Sequence, residues 1–338
     1  MGRKTLLKGI GEEALIKGLA AKFPSGHPRV IKGIGDDAAV IAEAGGKALL
    51  TTTDILIEGT HFRREYTDAY LLGRKALSIS LSDIAAMGGI PLFFLTSIAL
   101  PPDTEKGFLD GLYRGLSDVA FDFGALLIGG NTARSGKVMV ATTVLGEASA
   151  EEVVYRGGAR EGDDIYVTGA TGVSALGLKI LKGRGLGVLR KKTRAGRAAL
   201  KHLDPTPRVE AGRALATGRL ATAMMDISDG LALDLKRMCE ESGTGAVIKV
   251  DRLPVADELR GGQATHGEIL DLIVSGGEDY ELLFTARGRD SGRIASLSRR
   301  LSLPMTAIGK VTEKSGGIRF VHDDGTELEI RRPGFEHF

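Results

Sequence analysis

Carboxylates recur along this chain at the ends of apolar segments, each set among small residues. The stretch GIGDDAAV places Asp36 and Asp37 after a glycine-spaced turn, and Asp54 closes LLTTTD ahead of His61 in EGTHF. Asp83 sits in LSDIAAMGG among small and apolar neighbours, so its carboxylate needs a partner wherever it faces inward. Asn131 ends LLIGGN, Asp226 and Asp229 flank Ser228 in MMDISDGL, and Glu278 and Asp279 follow a glycine pair in SGGEDYELLF. Taken singly, each has an ordinary structural reading: a helix-surface acid, a cap (Ser228 stands where the next helix should be capped), a packed histidine. Their recurrence at element ends asks for more. Carboxylates that converge from several elements need cations, because unpaired buried anions are too costly. With one cysteine and six histidines in the chain, oxygen ligands dominate, which favours Mg²⁺ over zinc. Magnesium held by a few carboxylates usually shares its coordination sphere with substrate phosphates, so the chemistry indicated is metal-bridged phosphate chemistry.

Several other chemistries are excluded. There is no G-x-x-x-x-G-K-[ST] loop, no H-E-x-x-H, no G-x-S-x-G and no EF-hand loop. GIGDDAA nearly spells a dinucleotide-binding turn, yet two carboxylates would repel a pyrophosphate unless a metal intervened, and AVIAEAGGK after it reads as a strand and hairpin. The lone Cys239 forms no intramolecular disulfide and reads as packed in a helix. A net charge of +2 gives no general reason for nucleic-acid binding. The basic run from Lys179 to Arg197 is the local exception, read as a solvated face or as steering for an anionic substrate. No window holds the roughly 18 apolar residues of a membrane span, and the N-terminus lacks the apolar core of a signal peptide. A cytoplasmic enzyme is the expectation.

The elements that must position these groups follow from patterning. Ala38–Ala42 and Lys47–Asp54 read as strands joined by a tight turn, and Leu71–Met87 as a helix stopped by Gly88, Gly89 and Pro91. Leu92–Leu100 is almost wholly apolar and reads as a strand buried on both faces. Thr104–Phe123 is a second helix, followed by strands Ala125–Ile128 and Val138–Leu145. The pattern loosens over 147–162, where the domain junction is placed, giving domains 1–148 and 149–338 for a chain of 338 residues. Beyond it come strand Asp164–Thr168, helix Val173–Leu181, helix Ser228–Glu240 and strands Ala246–Val250, Leu272–Ser275, Glu281–Thr285, Thr306–Val311 and Ile318–His322. The mixed order favours an α+β fold in two lobes over an alternating barrel.

Read together, GIGDDAAV, TTTDILIEGTHF, GRKALSISLSDIAAMGGIP, LIGGNT, YRGGAREGDDIYVTG, PTPR, MDISDGLALDL, SGGEDYELLF and GFEHF, in that order, resemble the thiamine-monophosphate kinases of the aminoimidazole-ribonucleotide-synthetase-like superfamily. The resemblance implies a two-domain fold: an N-terminal mixed sheet that pairs across a homodimer, and a C-terminal α/β sandwich completing the site. It implies transfer of the γ-phosphoryl group of ATP to thiamine monophosphate, assisted by several Mg²⁺ ions. Carried over, the metal ligands would be Asp37, Thr53, Asp54, Asp83, Asp226 and Asp229, with Thr52 beside them. Gly130, Asn131, Arg156 and Ser228 would contact ATP, and His61, Glu278 and Phe335 the thiamine monophosphate. Asp54, Asp83, Asp229 and Arg156 would carry the transfer by neutralising charge. Two positions depart from the family: Asn131 stands where an aspartate is usual, and Phe335 where Tyr or Trp is common. Selenophosphate synthetases and the hydrogenase-maturation relative need cysteines that this chain lacks at the matching places. A purine-pathway synthetase is the enzyme alternative, and a non-catalytic nucleotide-binding regulator the alternative of another class.

Overall fold

The structure, a computed structural model, describes residues 11–23, 26–261 and 264–336, so the last two residues of GFEHF lie outside it. The N-terminal half builds a six-stranded sheet in the order β1-β2-β3-β6-β4-β5, from β1 (Val30–Lys32), β2 (Ala39–Ala42), β3 (Lys47–Ile57), β4 (Ile90–Leu100), β5 (Leu126–Arg134) and β6 (Met139–Ser149). Its β4–β5 pair is parallel and the other pairs are antiparallel. Two helices, α2 (Ala69–Ala86) and α3 (Lys106–Phe123), cover one face of this sheet. Asp68 caps α2 through its side chain, accepting from the Leu71 amide at 2.8 Å. Fourteen residues of α2 are buried, because it packs against the sheet, α3 and the second half of the molecule at once.

The second sheet runs β12-β9-β11-β7-β10-β8, with β7 (Asp164–Thr168), β8 (Ala221–Asp226), β9 (Thr244–Lys249), β10 (Leu282–Ala286), β11 (Met305–Glu313) and β12 (Ile318–Val321). Helices α4 (Val173–Arg184), α7 (Leu231–Ser242) and α8 (His266–Ser275) pack on one face and α6 (Val209–Thr217) and α9 (Ser291–Leu301) on the other. All five residues of β10 are buried, as a strand covered on both faces must be. The fold is therefore α+β, with a half-covered mixed sheet and a sandwich. Helices α1 (Glu12–Lys22) and α5 (Arg194–Leu203) complete the elements used below. No helix among the described residues is long and apolar enough to cross a membrane.

Three expectations fail, for physical reasons. Strand β4 is buried on one face only: Phe93 is 40% exposed, because no helix among the described residues covers the other side of the first sheet. Leu272–Ser275 is the last turn of α8, not a strand. There Thr265 and Glu268 form a capping box, and Leu270, Ile273 and Val274 make a buried helical stripe. Ser228 is not the cap of α7, whose cap position is Gly230; the Asp234 carboxylate accepts instead from the amides of Asp229 and Gly230, both at 3.1 Å. The basic run forms the end of α4, a short 3-10 turn at Leu186–Arg190 and the start of α5, with Lys191 and Lys192 exposed. Cys239 is buried in α7, and burial pushes its thiol up to about 11.

Candidate active site

Four elements deliver carboxylates to one cleft of about 910 Å³ between the two halves. Asp37 comes from the turn before β2, where Gly35 holds φ of 115°, a conformation that favours glycine. Asp54 lies on β3, Asp83 in the last turn of α2, and Asp226 at the end of β8. Oxygens of Asp37, Asp83 and Asp226 lie within 4.8 Å of one another. The hydroxyls that reach them come from small residues: Thr52 donates to Asp83 at 2.5 Å, Ser82 to Asp226 at 2.6 Å and Ser80 to Asp54 at 2.9 Å. Of the two guanidiniums lining the cleft, Arg156 reaches this cluster, its Nε and Nη2 both donating to Asp37 Oδ1, at 2.9 and 2.5 Å.

The cluster holds more negative charge than its surroundings balance. At an effective dielectric constant of about 20, two unit charges this close repel by roughly 3 kcal/mol. Three such pairs rival the net stability of a whole domain, about 5–15 kcal/mol. Burial, and then the charges of neighbouring acids, push Asp83 and Asp226 well above the usual carboxylate range. Burial also raises Asp37 and Asp54, and lifts Asp36 to about 6. Arg156 moves the other way: burial opposes its charge, but the Asp37 carboxylate outweighs that and raises it further. Asp37 Oδ2 and Asp36 Oδ2 are buried with no hydrogen-bond partner. Lys32 Nζ stands 3.7 Å from Asp36 Oδ2, which leaves Asp37 Oδ2 as the orphaned oxygen, and such an oxygen beside mutually repelling acids fits a hard divalent cation with oxygen ligands.

The loop after β8 closes one side of the cleft. Asp229 accepts from Arg237 Nη1 at 2.6 Å, and the same nitrogen donates to buried Asp234 at 2.9 Å. The Ser228 carbonyl accepts from the Glu278 amide at 2.6 Å, so the MDISDG and SGGED loops run side by side. Gly277 permits this approach, since a Cβ there would meet the Ser228 oxygen at 2.7 Å. Across the Asp229 loop lies the C-terminal tail, whose Phe335 amide donates to the Asp229 carbonyl at 3.0 Å. Glu278 and Tyr280 hold left-handed φ of 64° and 51°, each costing on the order of 1 kcal/mol.

With this geometry in place, the comparisons with known proteins can be read. The chain matches the family described as AIR synthase related protein, its N-terminal domain over residues 35–148 and its C-terminal domain over 160–322. The thiamine-monophosphate kinase of Salmonella typhimurium is 36% identical over 97% of this chain and 98% of its own length. That of Bacillus subtilis is 33% identical over 92% and 95%. This chain belongs to the thiamine-monophosphate kinase family. Among solved members, AaThiL complexed with AMPPCP and TMP superposes with a TM-score of 0.82 at 32% identity, covering 100% of both chains. Escherichia coli HypE, a hydrogenase maturation protein, is 19% identical with a TM-score of 0.68, covers 96% of this chain and 98% of its own, and shares the fold alone.

Set against what the thiamine-monophosphate kinase resemblance implies, the structure gathers most of the named residues. Asp37, Thr52, Thr53, Asp54, Asp83, Arg156, Asp226, Ser228 and Asp229 all line the one cleft. His61 lies in the turn after β3, its Nδ1 accepting from the Ile57 amide at 3.0 Å, and its charge bears on Glu278. Gly130 and Asn131 stand apart, on the exposed edge strand β5. The cross-strand row Thr53–Thr143–Leu95–Gly129 puts them three strands from Thr53. Sequence reasoning missed the partners: Ser80, Ser82, Asp234, Arg237, Lys75 and His202. The alternating serines of SISLSD were a usable signal, since hydroxyls in an otherwise apolar helix must find acceptors.

Proposed function

We propose that this chain phosphorylates thiamine monophosphate, using ATP, to give thiamine diphosphate and ADP. A terminal oxygen of the acceptor phosphate attacks the γ-phosphorus in line, and the bond to the β–γ bridging oxygen breaks as ADP leaves. Both reactants are anions, so the barrier is largely charge repulsion and misalignment, and no covalent nucleophile is required. The acceptor phosphate is already ionised and needs little from a general base. The observation that carries this reading is the set of three carboxylates from different elements within 4.8 Å of one another.

Asp37, Asp83 and Asp226, with Asp54, Thr53 and Asp229 beside them, would hold Mg²⁺, and Thr52 orients Asp83. Bound there, magnesium neutralises phosphate charge and lines up donor and acceptor. Arg156 is the positive clamp on the nucleotide phosphates, which Ser228 also contacts. Gly130 and Asn131 serve ATP from the edge of the first sheet. His61, Glu278 and Phe335 receive the acceptor, and the Phe335 ring, 51% exposed, offers a stacking face to a heteroaromatic cation.

We also place the domain division at 148/149 and read the enzyme as a homodimer. All nine residues of β5 are exposed, among them Leu126, Leu127 and Ile128, and Phe93 and Ile55 face the same uncovered side of the sheet. An apolar edge of this length is normally paired or covered. Leu127→Asp is expected to give a monomer by light scattering; an unchanged mass would move the interface elsewhere. The activity test is direct: purified protein, Mg-ATP and thiamine monophosphate, with thiamine diphosphate followed by chromatography. Turnover is expected. No product, with turnover instead on formylglycinamidine ribonucleotide, would overturn the proposal in favour of a purine-pathway synthetase.

A further inference from the structure

The tetrapeptide Glu278-Asp279-Tyr280-Glu281 straddles the two halves of the molecule. Asp279 and Glu281 turn into the second half, where Asp279 accepts from the amides of Gly172 and Ser174 at the start of α4, at 2.5 and 2.9 Å. Glu281 accepts from Thr168, Lys201 and Arg208. Tyr280 turns the other way and packs into the core of the first half. Glu278 crosses with it, and its Oε1 meets Lys75 Nζ of α2 at 2.7 Å. The left-handed φ of Glu278 and Tyr280 is what turns alternate side chains across the boundary.

Lys75 is an unusual residue for its place. It sits in the middle of the most buried helix with 1% of its surface exposed, and Glu278 is its ion-pair partner. A lysine there is not needed for packing, since an apolar side chain would fill the space without desolvating a charge. The other Glu278 oxygen lies 3.3 Å from Nδ1 of His202, an equally buried ring on α5 that also meets the Ser174 hydroxyl at 3.0 Å. Burial, and then the Lys75 charge, push His202 down to about 3, so the ring is a neutral stop. Yet 27% of the Glu278 side chain remains exposed. Lys75 and His202 grip the carboxylate from behind and leave one side open.

We infer that Lys75 is a positioning residue for the acceptor substrate, holding the Glu278 carboxylate charged and aimed at the thiamine moiety. The inference rests on the reading of Glu278 as an acceptor contact. Burial alone would raise Glu278; the Lys75 ammonium foremost holds it below the usual range. The other ionisable groups facing it are the phenols of Tyr66 and Tyr280, both of which feel its charge. Without Lys75, the buried carboxyl takes up a proton at a higher pH and swings without its anchor.

The test is steady-state kinetics on the full-length enzyme with Mg-ATP and thiamine monophosphate. Lys75→Met is expected to raise KM for thiamine monophosphate about tenfold, the loss of roughly one charge-assisted contact, while KM for ATP stays put. The variant-to-wild-type ratio should widen as pH falls from about 8 to 6, as the unpaired buried carboxyl protonates, and taking the ratio cancels titration of the substrate phosphate. Should Lys75→Met not fold, Lys75→Gln keeps a donor without the charge and carries the same comparison. The double variant Lys75→Met/Glu278→Gln should show the KM of Glu278→Gln alone, because the two residues act as one unit. An unchanged KM for thiamine monophosphate, or equal rises for both substrates, would reduce Lys75 to a structural ion pair. If Glu278→Gln itself leaves that KM unchanged, the reading of Glu278 fails; if only Lys75→Met does, the inference fails alone.

Discussion

The molecule holds two sets of clustered acids, and they are partnered in different ways. Glu278, Asp279 and Glu281 each have dedicated partners: a lysine and a histidine, a helix N-terminus, and a lysine with an arginine. Though burial opposes it, Glu278 and Glu281 are held below the usual range by Lys75 and by Lys201, while Asp279, met only by two amides, is raised by burial to about 7. Asp37, Asp54, Asp83 and Asp226 share one arginine and a few hydroxyls, and all are raised. The difference separates acids given dedicated partners from acids left short of positive charge. That deficit is itself a specification, one that the proposed Mg²⁺ would meet.

Breaking the deficient set should have the largest effect. Asp83→Asn or Asp226→Asn is expected to lower kcat/KM by about a thousandfold, as loss of a ligand that fixes transition-state charge does. Asp54→Asn and Asp229→Asn should also remove most activity, and near-normal rates in both would sink the metal assignment. In the same proteins without metal, the Tm of Asp83→Asn and Asp226→Asn should rise, because a mutually repelling charge is gone. Breaking the satisfied set should act on stability instead. Glu281→Gln leaves Lys201 and Arg208 facing a buried amide, and is expected to cost about 3 kcal/mol in urea unfolding. A loss of less than about 1 kcal/mol would place Glu281 among ordinary surface pairs.

The contrast extends to pH. Acids whose folded values are raised bind protons more tightly in the native state, so they favour the fold where they are protonated. Their contribution is present near the unfolded carboxylate value and is lost as pH rises, through about 6 for Asp36 and higher for Asp83 and Asp226. Glu278 and Glu281 have the opposite sign: their contribution is present above the ordinary glutamate value and lost as pH falls below it. Metal-free protein should therefore lose Tm between about pH 5 and 8, and Mg²⁺ with ATP should restore it, by about 2.7 kcal/mol at a hundred times Kd. A Tm that rises over that interval in the metal-free protein would contradict the arrangement. The smallest effect is expected at Asn131. Asn131→Asp adds one charge at the exposed edge, and should lower the Mg²⁺ concentration for half-maximal rate by about threefold.

How much of this was legible beforehand depends on what a residue's partner is. The acids announced themselves, since a carboxylate among glycines and apolar residues at an element end has few uses. Their arrival in one cleft was inferred through the family resemblance; the spacing of Asp37, Asp83 and Asp226 along the chain says nothing about 4.8 Å. Apart from Arg156, the cations were invisible. Lys75 and Glu278 are two hundred residues apart, and a lysine in an amphipathic-looking helix reads as surface. Strand β4 misled because apolar residues on both faces mean two covers, and the described residues supply only one. The error at Leu272–Ser275 was one of period: three apolar residues in a row fit a strand or a helical turn equally, and the capping box that decides lies seven residues upstream.

Helix α2 carries Lys75 in its second turn and Asp83 in its last. Eight residues of α-helix at 1.5 Å each separate them by about 12 Å along one stiff axis. The residue that anchors Glu278 and the residue that enters the acid cluster are thus marks on a single measuring rod. Under the function proposed above, the distance between the organic moiety of the acceptor and its phosphate would be gauged by the backbone of one helix, whatever the surrounding loops do.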